Sequence, residues 1–134
     1  VMAVVVFETD EWAHHSHYKD YLDAARQTDA WIGEIWRFIQ ADPQYRNKTA
    51  LLITTDHGRG DLAKAEWTSH GAKISDSHEI WIAAIGPGLS KGGEMSNAVQ
   101  LYQQQVAATV AEWLGLDFKA KHPVASGLWG TFRK

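Results

Sequence analysis

Residues 51–60 read LLITTDHGRG, an apolar run that ends at an acid–imidazole pair followed by glycines. Leu and Ile on both faces, with no helical period, predict a buried strand that carries Asp56 and His57 at its carboxyl end. Ligands bind at this end of open parallel sheets, so two good metal ligands beside flexible glycine predict a functional site. The alternative is an ordinary strand-to-loop turn capped by Asp56, because Asp and Gly are common turn formers.

The composition indicates a globular chain with a core of its own. Its 134 residues correspond to one domain, 45% of them are hydrophobic, and the net charge is −3. No basic stripe indicates nucleic acid as the main partner, and no apolar run is long enough to cross a bilayer. The absence of cysteine excludes disulfides and thiolate metal sites.

The first seven residues, VMAVVVF, also predict a buried strand, and it ends in Glu8-Thr9-Asp10. This layout repeats the one at residues 51–56, where an apolar strand ends in an acid. The chain starts inside this predicted strand, with neither an initiator Met nor a basic leader before it. We therefore expect the chain to be cut from a longer protein whose amino-terminal half is missing.

A long amphipathic helix is predicted between these two strands, from about Tyr18 to Gln40, and Asp42-Pro43 ends it. Its apolar stripe consists of Tyr21, Leu22, Ala25, Ile32, Ile35, Trp36 and Ile39. Strand, helix and strand in this order form a right-handed parallel crossover in nearly all known cases.

The second half of the chain continues the alternation. A loop over residues 58–78, which we assign to the active site, precedes a third predicted strand over residues 79–85 that Gly86-Pro87-Gly88 stops. A second amphipathic helix is predicted from about Asn97 to Leu114, with Gly92-Gly93 in the loop before it and Gly115 as its C-cap. Residues 1–134 thus predict a single α/β domain with a mainly parallel sheet and helices on both faces.

Acids and histidines collect at the predicted strand ends and in the loops beyond them: Asp10, His14, Asp56, His57 and His70, with His15, His17 and His78 as spares. The spacing of Asp10 and His14 lets a carboxylate and an imidazole converge on one ion. Adjacent Asp56 and His57 diverge on an extended backbone, so we expect them to serve two neighbouring ions. His70 lies thirteen residues after His57 and can complete one of the sites.

Imidazole and carboxylate ligands suit zinc, and also manganese or iron. Two such divalent ions about 4 Å apart form the clamp used in phosphoryl transfer. Alternatives stay open for the other side chains, because His15 and His17 fit solvated loop positions and His78 fits a cap before a strand. Arg59 fits either a phosphate anchor or a solvated or salt-bridged surface residue.

The order of these motifs resembles the carboxyl-terminal half of the alkaline phosphatase superfamily. The resemblance rests on Asp10-x-x-x-His14, Thr54-Thr55-Asp56-His57-Gly58, Ser69-His70-Gly71 and the strand ending in Gly86-Pro87-Gly88. It continues through Val106-Ala107-Ala108-Thr109-Val110 to Trp113-Leu114-Gly115 and so covers nearly the whole chain. The most similar branches are the type I phosphodiesterase/nucleotide pyrophosphatase branch and the phosphoglycerate mutase-like branch.

The resemblance implies that Asp10, His14 and His70 bind one metal and that Asp56 and His57 bind the other. It also implies a Ser or Thr nucleophile and a further Asp upstream of this chain, so that no catalytic nucleophile lies within it. The expected fold is alkaline phosphatase-like and partial. The expected activity, in the complete protein, is hydrolysis of a small phosphate ester through a covalent phospho-enzyme, in a periplasmic or extracellular location. The chain alone is expected to be inactive.

Other functions remain open. The mutase-like branch, a phosphotransferase, normally carries a large inserted domain, and the roughly forty residues between His14 and Asp56 leave no room for it there. The sulfatase-like branch builds its metal site from acids and amides, which does not call for His14. A non-catalytic domain could hold one structural ion through Asp10, His14 and His70, and a third alternative is an α/β domain whose histidine-rich loops bind no metal.

Overall fold

The computed structural model describes residues 1–60, 64–90, 93–95, 100–122 and 124–132. Contacts between Cα atoms divide the chain into two compact units, Val1–Ala83 and Ala84–Lys134. In the part of the chain described, no helix is long and apolar enough to span a bilayer.

Two helices that pack against each other form the first part of unit 1. Helix α1 covers Glu8–His14 and helix α2 covers Tyr18–Ala41. Ser16 connects them with a φ of 63°, and its N–H donates to the carbonyl of Ala13 at 2.9 Å. This tight reversal buries Ala13 completely between the two helices. The predicted long helix is confirmed: it ends at Ala41, and its C-cap Asp42 directly precedes Pro43.

The predicted strand over residues 1–7 is wrong. These residues lie in no strand, and Val1, Met2, Val4, Val5 and Phe7 are exposed. The following residues, predicted as a strand end and a polar loop, form α1 instead, because Glu8, Asp10 and Glu11 in its first turn favour the positive end of a helix dipole.

Strand β1 covers Leu51–Thr54, as predicted, and strand β2 covers Ile82–Ile85, starting three residues later than predicted. They form a two-stranded antiparallel sheet. The Thr54 hydroxyl ties the end of β1 to the start of β2 by donating to the carbonyl of Trp81 at 2.9 Å. A mainly parallel sheet is not seen within the described residues.

The described residues of the predicted active-site loop include a short helix, α3, over Lys64–Trp67. Trp67 packs edge-on against two aromatic rings of α2, with centroids 5.4 Å from Tyr18 and 6.1 Å from Tyr21. This contact fixes α3 on the amino-terminal end of α2.

Unit 2 contains a 3-10 turn over Gln103–Gln105, helix α4 over Val106–Trp113 and helix α5 over Trp129–Phe132. The predicted second helix is thus shorter than expected, and Gly92, Asn97 and Val99 lie outside the described residues. Leu114 is the C-cap of the helix, and Gly115, the predicted cap, follows it with a φ of 70° and donates its N–H to the Glu112 carbonyl.

Thr109 holds the buried centre of unit 2. Its hydroxyl donates to the Gln105 carbonyl and accepts the buried N–H of Leu128, both at 2.7 Å.

We expect Thr109→Val to lower the free energy of unfolding by about 1–3 kcal/mol, because the Leu128 N–H loses its acceptor without gaining water. Urea titration followed by circular dichroism measures this change. Thr131→Val, at an exposed position, is the matched control, and equal stability of the two variants would contradict the role of Thr109.

Candidate metal centre

Three segments of unit 1 place acidic and histidine side chains close to one another. Helix α1 presents Asp10 and His14, which are four residues apart and therefore share one face. The turn after β1 carries Asp56 and His57, and His70 follows α3.

Asp10 is the centre of this cluster. Its Oδ1 lies 3.7 Å from His57 Nε2 and 3.6 Å from His70 Nε2, and its Oδ2 lies 3.3 Å from His14 Nε2. His14 Nε2 and His70 Nε2 are 3.1 Å apart. The ligand atoms of Asp10, His57 and His70 all lie within 4.8 Å of one another.

Asp10, His57 and His70 form a group that could hold one metal ion. Zinc bonds to nitrogen and oxygen of about 2.0–2.2 Å place two tetrahedral ligand atoms about 3.3–3.6 Å apart. The distances from the Asp10 oxygens to the three histidine Nε2 atoms, 3.3–3.7 Å, are close to this spacing, with His14 facing Oδ2 and the other two histidines facing Oδ1. One carboxylate and neutral imidazoles are also the ligand types that zinc prefers.

The orientation of His57 is set by the backbone next to it. Its Nδ1–H donates to the Gly58 carbonyl at 2.8 Å, and Nε2 is the ring nitrogen that faces Asp10. The ring of His57 stacks on that of His70, with centroids 3.7 Å apart and planes 13° from parallel. Both imidazoles thus direct their Nε2 atoms to the same carboxylate.

His70 favours the neutral form that a metal ligand requires. Burial lowers the pKa of His70, and the nearby positive charges of His57, Arg59 and His14 lower it further. A neutral imidazole offers its nitrogen lone pair without first releasing a proton.

Asp56 and His57 do not diverge as predicted. Because the chain bends at Asp56 instead of staying extended, Asp56 Oδ2 lies 3.8 Å from His57 Nε2. The Asp56 carboxylate also accepts the backbone N–H of His57 at 3.0 Å and is 81% exposed. Asp56 therefore lies at the solvent side of the cluster, and His57 contacts both it and Asp10.

Arg59 is the site residue whose position the sequence left open. Its guanidinium forms an ion pair with Asp10 and donates to the Trp67 carbonyl at 3.2 Å, and only 12% of its side chain is exposed. Arg59 is therefore a salt-bridged residue inside the cluster. The sequence offered no signal for the Trp67 carbonyl, because it is a backbone atom.

The spare histidines lie on the surface and bind acids of their own. His15 and Glu11 are 3.5 Å apart, His17 and Asp20 are 3.2 Å apart, and His78 and Glu79 are 3.4 Å apart. Contact with Asp10 thus separates His14, His57 and His70 from these three histidines, which residue type alone could not do.

No curated protein and no solved structure matches the chain. The family model described as type I phosphodiesterase / nucleotide pyrophosphatase matches residues 1–123. This match covers α1, the turn after β1 and the His70 segment, so every residue of the cluster lies within it. The chain belongs to the type I phosphodiesterase / nucleotide pyrophosphatase family of the alkaline phosphatase superfamily.

Proposed function

We propose that this chain supplies the metal-binding part of a metal-dependent hydrolase that acts on small phosphate esters. The observation that carries the proposal is the group Asp10, His57 and His70, whose ligand atoms lie within 4.8 Å of one another, with His14 Nε2 3.3 Å from Asp10 Oδ2. Membership of a phosphodiesterase family supports hydrolysis of phosphate esters as the reaction class.

In this proposal Asp10, His57 and His70 hold zinc, and His14 completes the set. Manganese is the alternative ion. When bound, the ion would act as a Lewis acid on a phosphoryl oxygen. Asp10 supplies the negative charge of the site, and the bond from His57 Nδ1 to the Gly58 carbonyl keeps Nε2 available.

A second ion is proposed beside the first, with Asp56 among its ligands. Asp56 Oδ2 lies 3.8 Å from His57 Nε2, a nitrogen that can bind only one of the two ions. His57 then belongs to one ion and lies next to the other, which differs from a division into the separate sets Asp10-His14-His70 and Asp56-His57.

The complete reaction is proposed to require a longer polypeptide. There a Ser or Thr upstream of this chain attacks the phosphorus, and water hydrolyses the resulting phospho-enzyme. A periplasmic or extracellular location and a more extensive, mainly parallel sheet in the longer protein are further parts of this proposal. The chain described here would show negligible turnover.

We expect the chain to carry zinc in near-stoichiometric amount and His70→Ala to lose most of it, because His70 Nε2 lies within ligand distance of both Asp10 and His14. Elemental analysis of protein purified without chelator measures the content. His78→Ala, which removes an exposed histidine paired with Glu79, is the matched control. Equal zinc in both variants, or none in the unaltered chain after titration, would overturn the metal centre.

Activity is tested in the longer polypeptide with nitrophenyl phosphate mono- and diesters. The proposal expects zinc-dependent hydrolysis that His70→Ala abolishes and His78→Ala leaves intact. Comparing the two esters assigns the substrate class. A zinc-dependent rate from the purified 134-residue chain itself would contradict the requirement for an upstream nucleophile.

A non-catalytic domain with one structural ion is the second candidate. The observation that favours it is the exposure of Asp56, which leaves Asp10, His57 and His70 as a compact set for a single ion. In this case zinc would raise the melting temperature, while the longer polypeptide would hydrolyse neither ester.

A further inference from the structure

Arg59 and a bound ion need the same oxygen atom. Asp10 Oδ1 accepts the hydrogen bond of Arg59, and it is also the oxygen that lies 3.6 Å from His70 Nε2 and 3.7 Å from His57 Nε2. A cation bound to this oxygen repels the guanidinium. It also uses an oxygen lone pair that would otherwise accept the hydrogen bond of Arg59. Occupation of the centre would therefore weaken the ion pair between Arg59 and Asp10.

Without that ion pair, the guanidinium of Arg59 loses the counter-charge that Asp10 provides. Its side chain is 12% exposed, and its other hydrogen bond among the described residues, to the Trp67 carbonyl, is with an uncharged group. Removing a guanidinium from water without a counter-charge costs free energy, so an anion at this position is strongly favoured.

The surroundings of Arg59 keep it next to the centre. Trp67, whose carbonyl it contacts, is packed against Tyr18 and Tyr21 of α2. On the amino-terminal side of Arg59, the Gly58 N–H donates to the Ser77 carbonyl at 2.8 Å. On the other side, Gly60 is buried so closely that a Cβ there would lie 2.6 Å from Glu66 Cβ. The guanidinium can leave Asp10 only by a short movement.

We propose that Arg59 binds the phosphoryl oxygens of the substrate, and that it is paired with Asp10 until an ion occupies the centre. This inference rests on the proposed function, because it requires both the ion and a phosphate ester. The planar guanidinium can donate two parallel hydrogen bonds to two phosphoryl oxygens, which a lysine cannot do. Arg59 thereby makes phosphate binding dependent on the metal.

The test measures two affinities in the 134-residue chain carrying Arg59→Gln, Arg59→Lys or Arg26→Gln. Zinc affinity is measured by competition with a chromophoric chelator, and the affinity of the zinc-loaded protein for inorganic phosphate by calorimetry. Arg26→Gln makes the same charge change at an exposed side chain of α2 that pairs with Asp23. Melting curves verify that each variant is folded.

We expect Arg59→Gln to bind zinc about tenfold more tightly, because a competing positive charge is gone. The same variant is expected to bind phosphate about tenfold or more weakly, because a charge-assisted double hydrogen bond is lost. Both affinities of Arg59→Lys should lie between those of Arg59→Gln and those of the unaltered chain. Both affinities of Arg26→Gln should equal those of the unaltered chain. Opposite changes in the two affinities are not produced by a merely structural role.

The contrary results are distinct. Weaker binding of both zinc and phosphate by Arg59→Gln would make Arg59 a structural clamp of Asp10, and unchanged phosphate affinity would exclude it from the anion site. Both results overturn the inference and leave the metal centre standing. An unaltered chain that takes up no zinc would overturn the proposed function and this inference with it.

Discussion

Asp10→Asn is expected to lower zinc affinity by about a hundredfold or more, because it removes the single carboxylate on which three histidines converge. A change at His14, His57 or His70 deletes one nitrogen ligand, whereas this change removes the negative charge that balances the ion. Asp10 lies within 3.7 Å of His14, His57 and His70, and no other acid of the described chain contacts all three. Chelator competition at neutral pH measures the affinity.

The control must separate loss of a ligand from loss of folding. Asp29→Asn changes the same charge at an exposed position of α2 and should retain full zinc affinity. Because Asp10→Asn also leaves Arg59 without its ion-pair partner, the double variant Asp10→Asn/Arg59→Gln removes both charges together. Zinc binding by the double variant at the affinity of the unaltered chain would show that Asp10 is not a ligand.

Gly58→Ala is expected to lower the free energy of unfolding by about 3 kcal/mol and to reduce zinc affinity as well. A Cβ at this position would lie 2.3 Å from the Asp76 carbonyl oxygen and 2.4 Å from that of Glu79. Both are backbone atoms, so relief requires the segment after His70 or the turn after β1 to move. The turn carries His57, whose Nδ1–H donates to the Gly58 carbonyl.

Gly33→Ala is the matched control, since it makes the same substitution in the same unit. Gly33 lies inside α2, and a Cβ there would meet only Arg37 Nη1 at 3.5 Å, an ordinary contact. We expect it to stabilise the chain by about 0.5–1 kcal/mol, because alanine restricts the unfolded chain more than glycine does. Urea titration measures both variants, and a Gly58→Ala protein as stable as the unaltered chain would contradict the close approach.

The amphipathic helix shows where the sequence was sufficient. The apolar stripe of α2 repeats every three or four residues and Pro43 stops it, so both its existence and its end follow from local rules. The same applies to β1, a short apolar run bounded by polar residues.

The first seven residues show where the sequence was not sufficient to predict the secondary structure. A Val-rich run indicates side chains that favour burial, but a strand also needs a neighbouring strand to pair with, and that neighbour is remote in sequence. In the described residues β1 pairs with β2 and residues 1–7 pair with neither. Hydrophobic pattern therefore predicted the wrong element there, and the acids of the following segment started a helix.

The sequence by itself determined which side chains are available: one acid and one histidine four residues apart, an Asp-His pair after a strand and a histidine in the next loop. It also determined the order of these motifs along the chain, on which the resemblance to the family rests, because residue type and spacing can be read from the sequence alone. Only the tertiary structure decided that His57 joins Asp10 and His70, and that Arg59 shares an oxygen of Asp10 with them. The physical reason is that convergence within 4 Å depends on the bend at Asp56 and on how α3 packs against α2, which are set by contacts between distant segments.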